Sequence, residues 1–210
     1  MRRILVASAV VVVAGFAATT VASARPTASG CTKVAMPKTG PRTEPKPKTA
    51  LDQKKTYYVT MKTNCGSFTF RLAVKDSPHT SASFVSLVKR GYFDKTVFHR
   101  IVPGFVIQGG DPTATGTGGP GYETVDKPPA SLRYTHGIVA MAKTQTEASG
   151  TSGSQFFVVT VPNAQLPAQY ALLGIVTNGL AVVDRIGKLG NTNQQPTQVV
   201  EILHAFVTIK

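Results

Sequence analysis

From Tyr57 onward, apolar and polar residues alternate through Tyr57-Tyr58-Val59-Thr60-Met61-Lys62-Thr63 and again through Ser67-Phe68-Thr69-Phe70-Arg71-Leu72. Two such runs around Asn64-Cys65-Gly66 predict a β-hairpin. The period then lengthens. Between Ser77 and Gly91, Phe84, Leu87 and Val88 recur on one helical face; Ser77 is placed to cap, Pro78 suits the first position and Gly91 can close the helix. Short, strongly apolar runs at His136–Ala142 and Ser154–Thr160 predict core strands bracketing a polar loop, Lys143–Gly153. A further strand is predicted over Ala171–Val176, a second helix over Gly179–Ile186 and a closing β-branched strand over Val199–Ile209. Many short strands with two helices favour a closed barrel, which leaves no sheet edge exposed.

The N-terminal quarter has a different character. Met1-Arg2-Arg3, an apolar run from Ile4 to about Ala18 and then Val21-Ala22-Ser23-Ala24 read as a secretory signal peptide over 1–24, cut after Ala24. The apolar stretch is short for a membrane span, which wants about 20 predominantly apolar residues. Ala28-Ser29-Gly30-Cys31 offers a competing lipobox reading with an acylated Cys31, ranked lower because Arg25 and Pro26 separate the cysteine from the hydrophobic run. Residues 25–55, with Pro37, Pro41, Pro45 and Pro47 and few apolar side chains, read as an extended, disordered linker, leaving 56–210 as the folded domain.

Charge follows the same division. The chain carries a formal net +13, of which Arg25–Lys62 supplies nine basic residues against Glu44 and Asp52. The basicity belongs mainly to the tail, where it could favour an anionic cell envelope or simply solvate a spacer. Nucleic acid is a poor partner, because the tail has no interleaved aromatics and the chain reads as exported. In an exported chain Cys31 and Cys65 suggest a disulfide; the competing readings are two unpaired thiols, or a lipidated Cys31 with Cys65 buried.

The usual chemistries find little support. His79, His99, His136 and His204 are scattered without metal-ligand spacing, so no metal or cofactor is expected. Gly150-Thr151-Ser152-Gly153 falls short of a nucleophile elbow. The loop Thr115–Gly121 lacks the Gly-Lys-Ser/Thr ending of a phosphate loop. What remains is Arg100, set in the apolar run Phe98-His99-Arg100-Ile101-Val102-Pro103-Gly104-Phe105-Val106-Ile107-Gln108-Gly109-Gly110-Asp111. A guanidinium in such surroundings needs acceptors or a ligand.

Phe98-His99-Arg100, Pro103-Gly104-Phe105, Gln108-Gly109-Gly110-Asp111, Gly116-Thr117-Gly118-Gly119 and Gly153-Ser154-Gln155-Phe156-Phe157 occur in one order. Together they closely resemble the cyclophilin family of peptidyl-prolyl cis/trans isomerases, in its bacterial, exported form, over about Tyr57–Ile209. The resemblance implies a mainly β fold, a closed eight-stranded antiparallel barrel capped by two helices, with a peptide groove on its outer face. It implies that Arg100 is catalytic and that Phe105, Val106, Phe157 and Leu166 form a proline pocket. Gln108 would hold substrate backbone, Gln155 would support the arginine, and Ala142 and Lys143 would bond the substrate main chain. Tyr170 lies beside the pocket, where many members have histidine. Lys143 replaces an asparagine, the loop after it is longer than in the compact eukaryotic type, and Gln165 replaces a tryptophan that many members use to bind cyclosporin.

The leading expectation is therefore a monomeric, exported isomerase acting on proline-containing polypeptides without a cofactor. The alternative is a peptide-binding or chaperone module on the same barrel with little turnover.

Overall fold

The computed structural model describes residues 30–210. The expected signal peptide, its expected cleavage site and the start of the expected linker lie outside the described residues. The domain opens with β1 (Tyr57–Thr63) and β2 (Gly66–Leu72), the expected hairpin. Its alternation decides its faces: Val59 pairs with Phe70 and Met61 with Phe68, and all four are buried. The Asn64 amide group donates to the carbonyls of Thr32 (2.7 Å) and Val199 (3.0 Å), while its oxygen accepts from the Glu201 N–H. One buried side chain thus ties the tail, the hairpin turn and the last strand.

Helix α1 (Pro78–Lys89) starts at the expected proline, but its cap comes from elsewhere. The Ser77 hydroxyl makes no capping bond; the Asp126 carboxylate accepts from the Thr80 N–H at 2.6 Å and supplies the missing acceptor. At the other end Gly91 is left-handed (φ 68°), the Gly91 N–H bonds to Val88 O, and the Tyr92 N–H reaches back to Leu87 O. These are the two bonds of a glycine-terminated helix end.

The remaining elements are β3 (Thr96–Val97), β4 (Arg100–Val102), β5 (Val106–Gly109), β6 (Thr124–Val125), β7 (Ile138–Met141), β8 (Thr151–Ser152), β9 (Phe156–Val159), β10 (Leu172–Asn178), α2 (Leu180–Gly187) and β11 (Glu201–Ile209). Nine strands form one antiparallel sheet in the order β3-β11-β1-β2-β10-β7-β9-β5-β4; β6 and β8 pair separately. The expectation of a closed eight-stranded barrel is therefore corrected. The sheet is open, because its two end strands, β3 and β4, do not pair with each other. They are consecutive in the chain with only Phe98 and His99 between them, so the backbone itself turns the corner where a closing ladder would lie. A single bridge from Val97 to Asp111 spans that gap.

The interior is aromatic. Phe84 stacks on Phe93 at 4.6 Å, and Phe156 meets Phe84, Phe93 and Phe98 edge-on at 5.6 to 6.0 Å. A second, smaller apolar cluster centres on Val106, Tyr134, Ala140, Phe157 and Val159. The two clusters follow from strand alternation: Ile107, Val139, Phe156 and Val158 belong to the first, while Val106, Ala140, Phe157 and Val159 belong to the second.

Residues 30–55 carry no helix or strand, in keeping with their prolines, yet they lie along the domain. Cys31 is disulfide-bonded to Cys65, which leaves neither cysteine as the free or acylated thiol of the competing readings. Arg42 donates to the carbonyls of Tyr92 and Asp94, the Gly40 N–H to Pro112 O, the Glu44 N–H to Pro120 O and Lys46 Nζ to Glu123 O. The low apolar content that suggested a free linker is offset here by backbone hydrogen bonds, which composition does not reveal.

Candidate active site

Strand register assembles the site. Arg100 on β4 pairs with Gln108 on β5, Gln108 with Phe157 on β9, and Phe157 with Ala140 on β7. These four residues form one row across four neighbouring strands, which lie about 4.8 Å apart. Val106 is two residues from Gln108 on the same face, and Phe105 is placed by the turn at left-handed Gly104 (φ 68°). A cation, an amide and an apolar floor are thereby brought together by pairing alone.

Arg100 is half-buried and held at two nitrogens. Its Nη1 donates to Gln108 Oε1 at 3.0 Å and its Nε to Gln194 Oε1 at 2.8 Å. Gln108 Nε2 in turn donates to Gln155 Oε1 at 3.0 Å, and Gln155 Nε2 donates to the carbonyls of Gly116 and Gly118. The support expected of Gln155 thus reaches the arginine through Gln108. Gln194 was not anticipated: it lies in a polar loop far from the motifs, and nothing in its spacing points to Arg100.

The Gly116–Gly118 carbonyls are fixed by Asp111. This carboxylate is fully buried and accepts from the N–H groups of Thr113, Thr115, Gly116 and Gly118 and from the Thr113 hydroxyl. Burial pushes its pKa up, but the hydrogen bonds from Thr113, Gly118 and Gly116 outweigh it and leave the group below its usual value. The glycine loop is therefore wrapped on an internal anion. Gly118 needs its missing Cβ, which would sit 2.1 Å from Asp111 Oδ1.

Phe105, Val106, Phe157, Leu166, Ala142 and Tyr170 all belong to the second apolar cluster. Its base is Tyr134, a residue that sequence reasoning missed. The Tyr134 hydroxyl donates to Tyr170 O (2.7 Å) and accepts from the Tyr170 N–H (2.9 Å), and burial pushes its pKa up to about 12. The Tyr170 ring meets Phe157 edge-on at 5.5 Å.

Ala142 and Lys143 lie at the edge of a cavity of about 730 Å³, shared with Gln108, Gln155 and the glycine loop. The Ala142 N–H is already given to Gln155 O. Lys143 folds back, its Nζ donating to the carbonyls of Thr144 and Glu147 and lying 5.7 Å from the Tyr170 ring. Gln165, exposed and left-handed (φ 53°), precedes Leu166 at the rim.

His99 adjoins the arginine. Both its ring nitrogens are buried without a hydrogen-bond partner among the described residues, and burial, with a smaller contribution from Arg100, lowers its pKa against the opposing pull of Asp111. Among the described residues no group of three or more His, Cys, Asp or Glu is placed to hold a metal, and no helix is long and apolar enough to cross a membrane.

Comparison with known proteins places this arrangement. Residues 58–207 match the family described as cyclophilin type peptidyl-prolyl cis-trans isomerase/CLD. The Arabidopsis thaliana peptidyl-prolyl cis-trans isomerase CYP18-2 is 39% identical over 154 residues, covering 71% of this chain and 92% of the relative. The Mus musculus peptidyl-prolyl cis-trans isomerase-like 1 is 39% identical over 153 residues, covering 70% and 90%. Among solved structures, a Cryptosporidium parvum cyclophilin type peptidyl-prolyl cis-trans isomerase in the presence of the dipeptide Ala-Pro superposes with a TM-score of 0.66 at 31% identity, covering 72% of this chain and 98% of that one. The chain belongs to the cyclophilin-type peptidyl-prolyl cis-trans isomerases.

Proposed function

We propose that this isomerase turns X-Pro bonds in exported polypeptides, with Arg100 as its catalytic group and the cluster of Phe105, Val106, Phe157 and Leu166 as the proline pocket. The observation that carries the reading is the row Arg100, Gln108, Phe157, Ala140, which sets a guanidinium beside an apolar floor on one face of the sheet.

The chemistry needs no more than this. Partial double-bond character opposes rotation with a barrier of about 18–20 kcal/mol. Twisting the bond breaks the resonance and localises a lone pair on the proline nitrogen. A guanidinium directed at that nitrogen stabilises the twisted form more than either planar form, which is the condition for catalysis. An apolar pocket fixes the ring while Gln108, Ala142 and Lys143 engage the flanking main chain. The relative seen with Ala-Pro supports proline-containing peptides as the ligand class.

Export is inferred from Met1–Ala24, and the Cys31–Cys65 disulfide supports an oxidising compartment. The working unit we infer is a monomer whose basic arm faces the envelope. The test is a protease-coupled assay on a proline tetrapeptide: Arg100→Ala is expected to lower kcat/KM by at least about an order of magnitude with an unchanged circular dichroism spectrum. Equal activity in the variant would sink the assignment.

A further inference from the structure

The loop between α2 and β11 contains a residue whose backbone is unfavourable and whose side chain reaches the site. Gln194 has φ 63°, in the left-handed region where a side chain costs stability that glycine would not. Residues kept in such conformations collect at functional sites, because the surrounding structure must be selected to hold them. Lys95, Ala114 and Gln165 share this backbone region, but none of them bonds to Arg100; Gln194 does, at 2.8 Å to Nε.

The loop is built to present it. Gly190 sits so close to β4 that a Cβ would lie 2.3 Å from the Ile101 carbonyl. The Gln194 carbonyl accepts from the Ile101 N–H at 2.9 Å, the Gln194 N–H donates to Asn191 O, and Asn191 Oδ1 accepts from the N–H groups of Asn193 and Gln195. The backbone of Gln194 is thus fastened to the residue next to Arg100, at the open edge of the sheet.

We infer that Gln194 is a positioning residue that sets the plane of the Arg100 guanidinium, an inference that rests on Arg100 being the catalytic group. With Gln108 alone, the guanidinium could pivot about a single Nη1 bond. A second acceptor on Nε fixes two nitrogens of a rigid planar fork, and the other three N–H groups have no acceptor among the described residues. Those are the donors a twisting prolyl nitrogen would meet. Small errors of aim at such a centre are expensive in rate.

Gln194→Gly separates aim from folding, since it removes the side chain and relieves the backbone at once. The expected result is a Tm equal to or above that of the parent, kcat lower by about three- to tenfold and KM little changed. Gln194→Glu, which keeps an acceptor at the same reach, is expected to recover most of the loss. An NMR readout is independent of turnover: the Arg100 Nε–H resonance, assigned by its absence in Arg100→Ala, should exchange slowly in the parent and in Gln194→Glu and fast in Gln194→Gly. A glycine variant with parental kcat, or one with lower Tm and unchanged kcat, overturns the inference. A parent chain with no isomerase activity removes the functional reading itself, whatever the NMR shows.

Discussion

Gln108 stands between Arg100 and Gln155, accepting from the first and donating to the second at 3.0 Å each. It is the joint through which the glycine loop acts on the arginine. Gln108→Ala should therefore lower kcat/KM by roughly tenfold and Gln155→Ala by about threefold, with Gln155→Ala adding little in the Gln108→Ala background. Multiplicative losses in the double variant would show that Gln155 acts by another route.

Asp111 is a buried anion whose partners are backbone N–H groups of a glycine-rich loop. Asp111→Asn presents an amide to donors that need acceptors, and is expected to cost about 2–4 kcal/mol in urea unfolding. Because the folded pKa is depressed, the charge stabilises the parent above the usual carboxylate range, and that contribution is lost only as pH falls through the lower folded value. An acid-unfolding curve that is the same in Asp111→Asn would refute this.

His99 should leave a mark of the same sign at higher pH. Its folded pKa is lowered by burial, so below about pH 6.5 the unfolded chain takes up a proton that the folded chain refuses. Stability is therefore expected to fall as pH drops from about 7.5 to 5.5, and thermal unfolding of His99→Gln should show a shallower slope over that window.

Reducing Cys31–Cys65, or replacing both with serine, releases the arm from the hairpin turn. For a separation of 34 residues the expected cost is about 3–4 kcal/mol, read as a lower Tm. Limited proteolysis should then cut within residues 32–50 while the domain stays intact; resistance equal to that of the oxidised parent would show that the hydrogen bonds alone hold the arm.

How much of this could be read from sequence depended on whether period or packing decided it. The hairpin 57–72, both helices and the central strands were legible because alternation and helical spacing survive in the residues themselves. The Arg100, Gln108, Phe157 grouping was recognised through its motifs, and register explains it. The β6–β8 pair, two residues a strand, is too short to carry a period. Asp126 as helix cap, Tyr134 beneath the pocket and Gln194 beside the arginine each depend on contacts across at least 36 residues, which local pattern cannot encode. The open sheet escaped notice because motif resemblance reports residues, whereas closure depends on whether two edges meet.

The bound arm also sets a distance. A free chain over residues 25–55 would extend to about 100 Å at roughly 3.3 Å per residue, enough to carry a domain well clear of any surface holding its N-terminus. With Cys31 locked to Cys65 at the hairpin turn, residues 32–55 cannot pay out as tether. A form held by its N-terminus would then stand closer to its surface while the disulfide is intact than after reduction, by at most the roughly 80 Å that residues 32–55 span when fully extended.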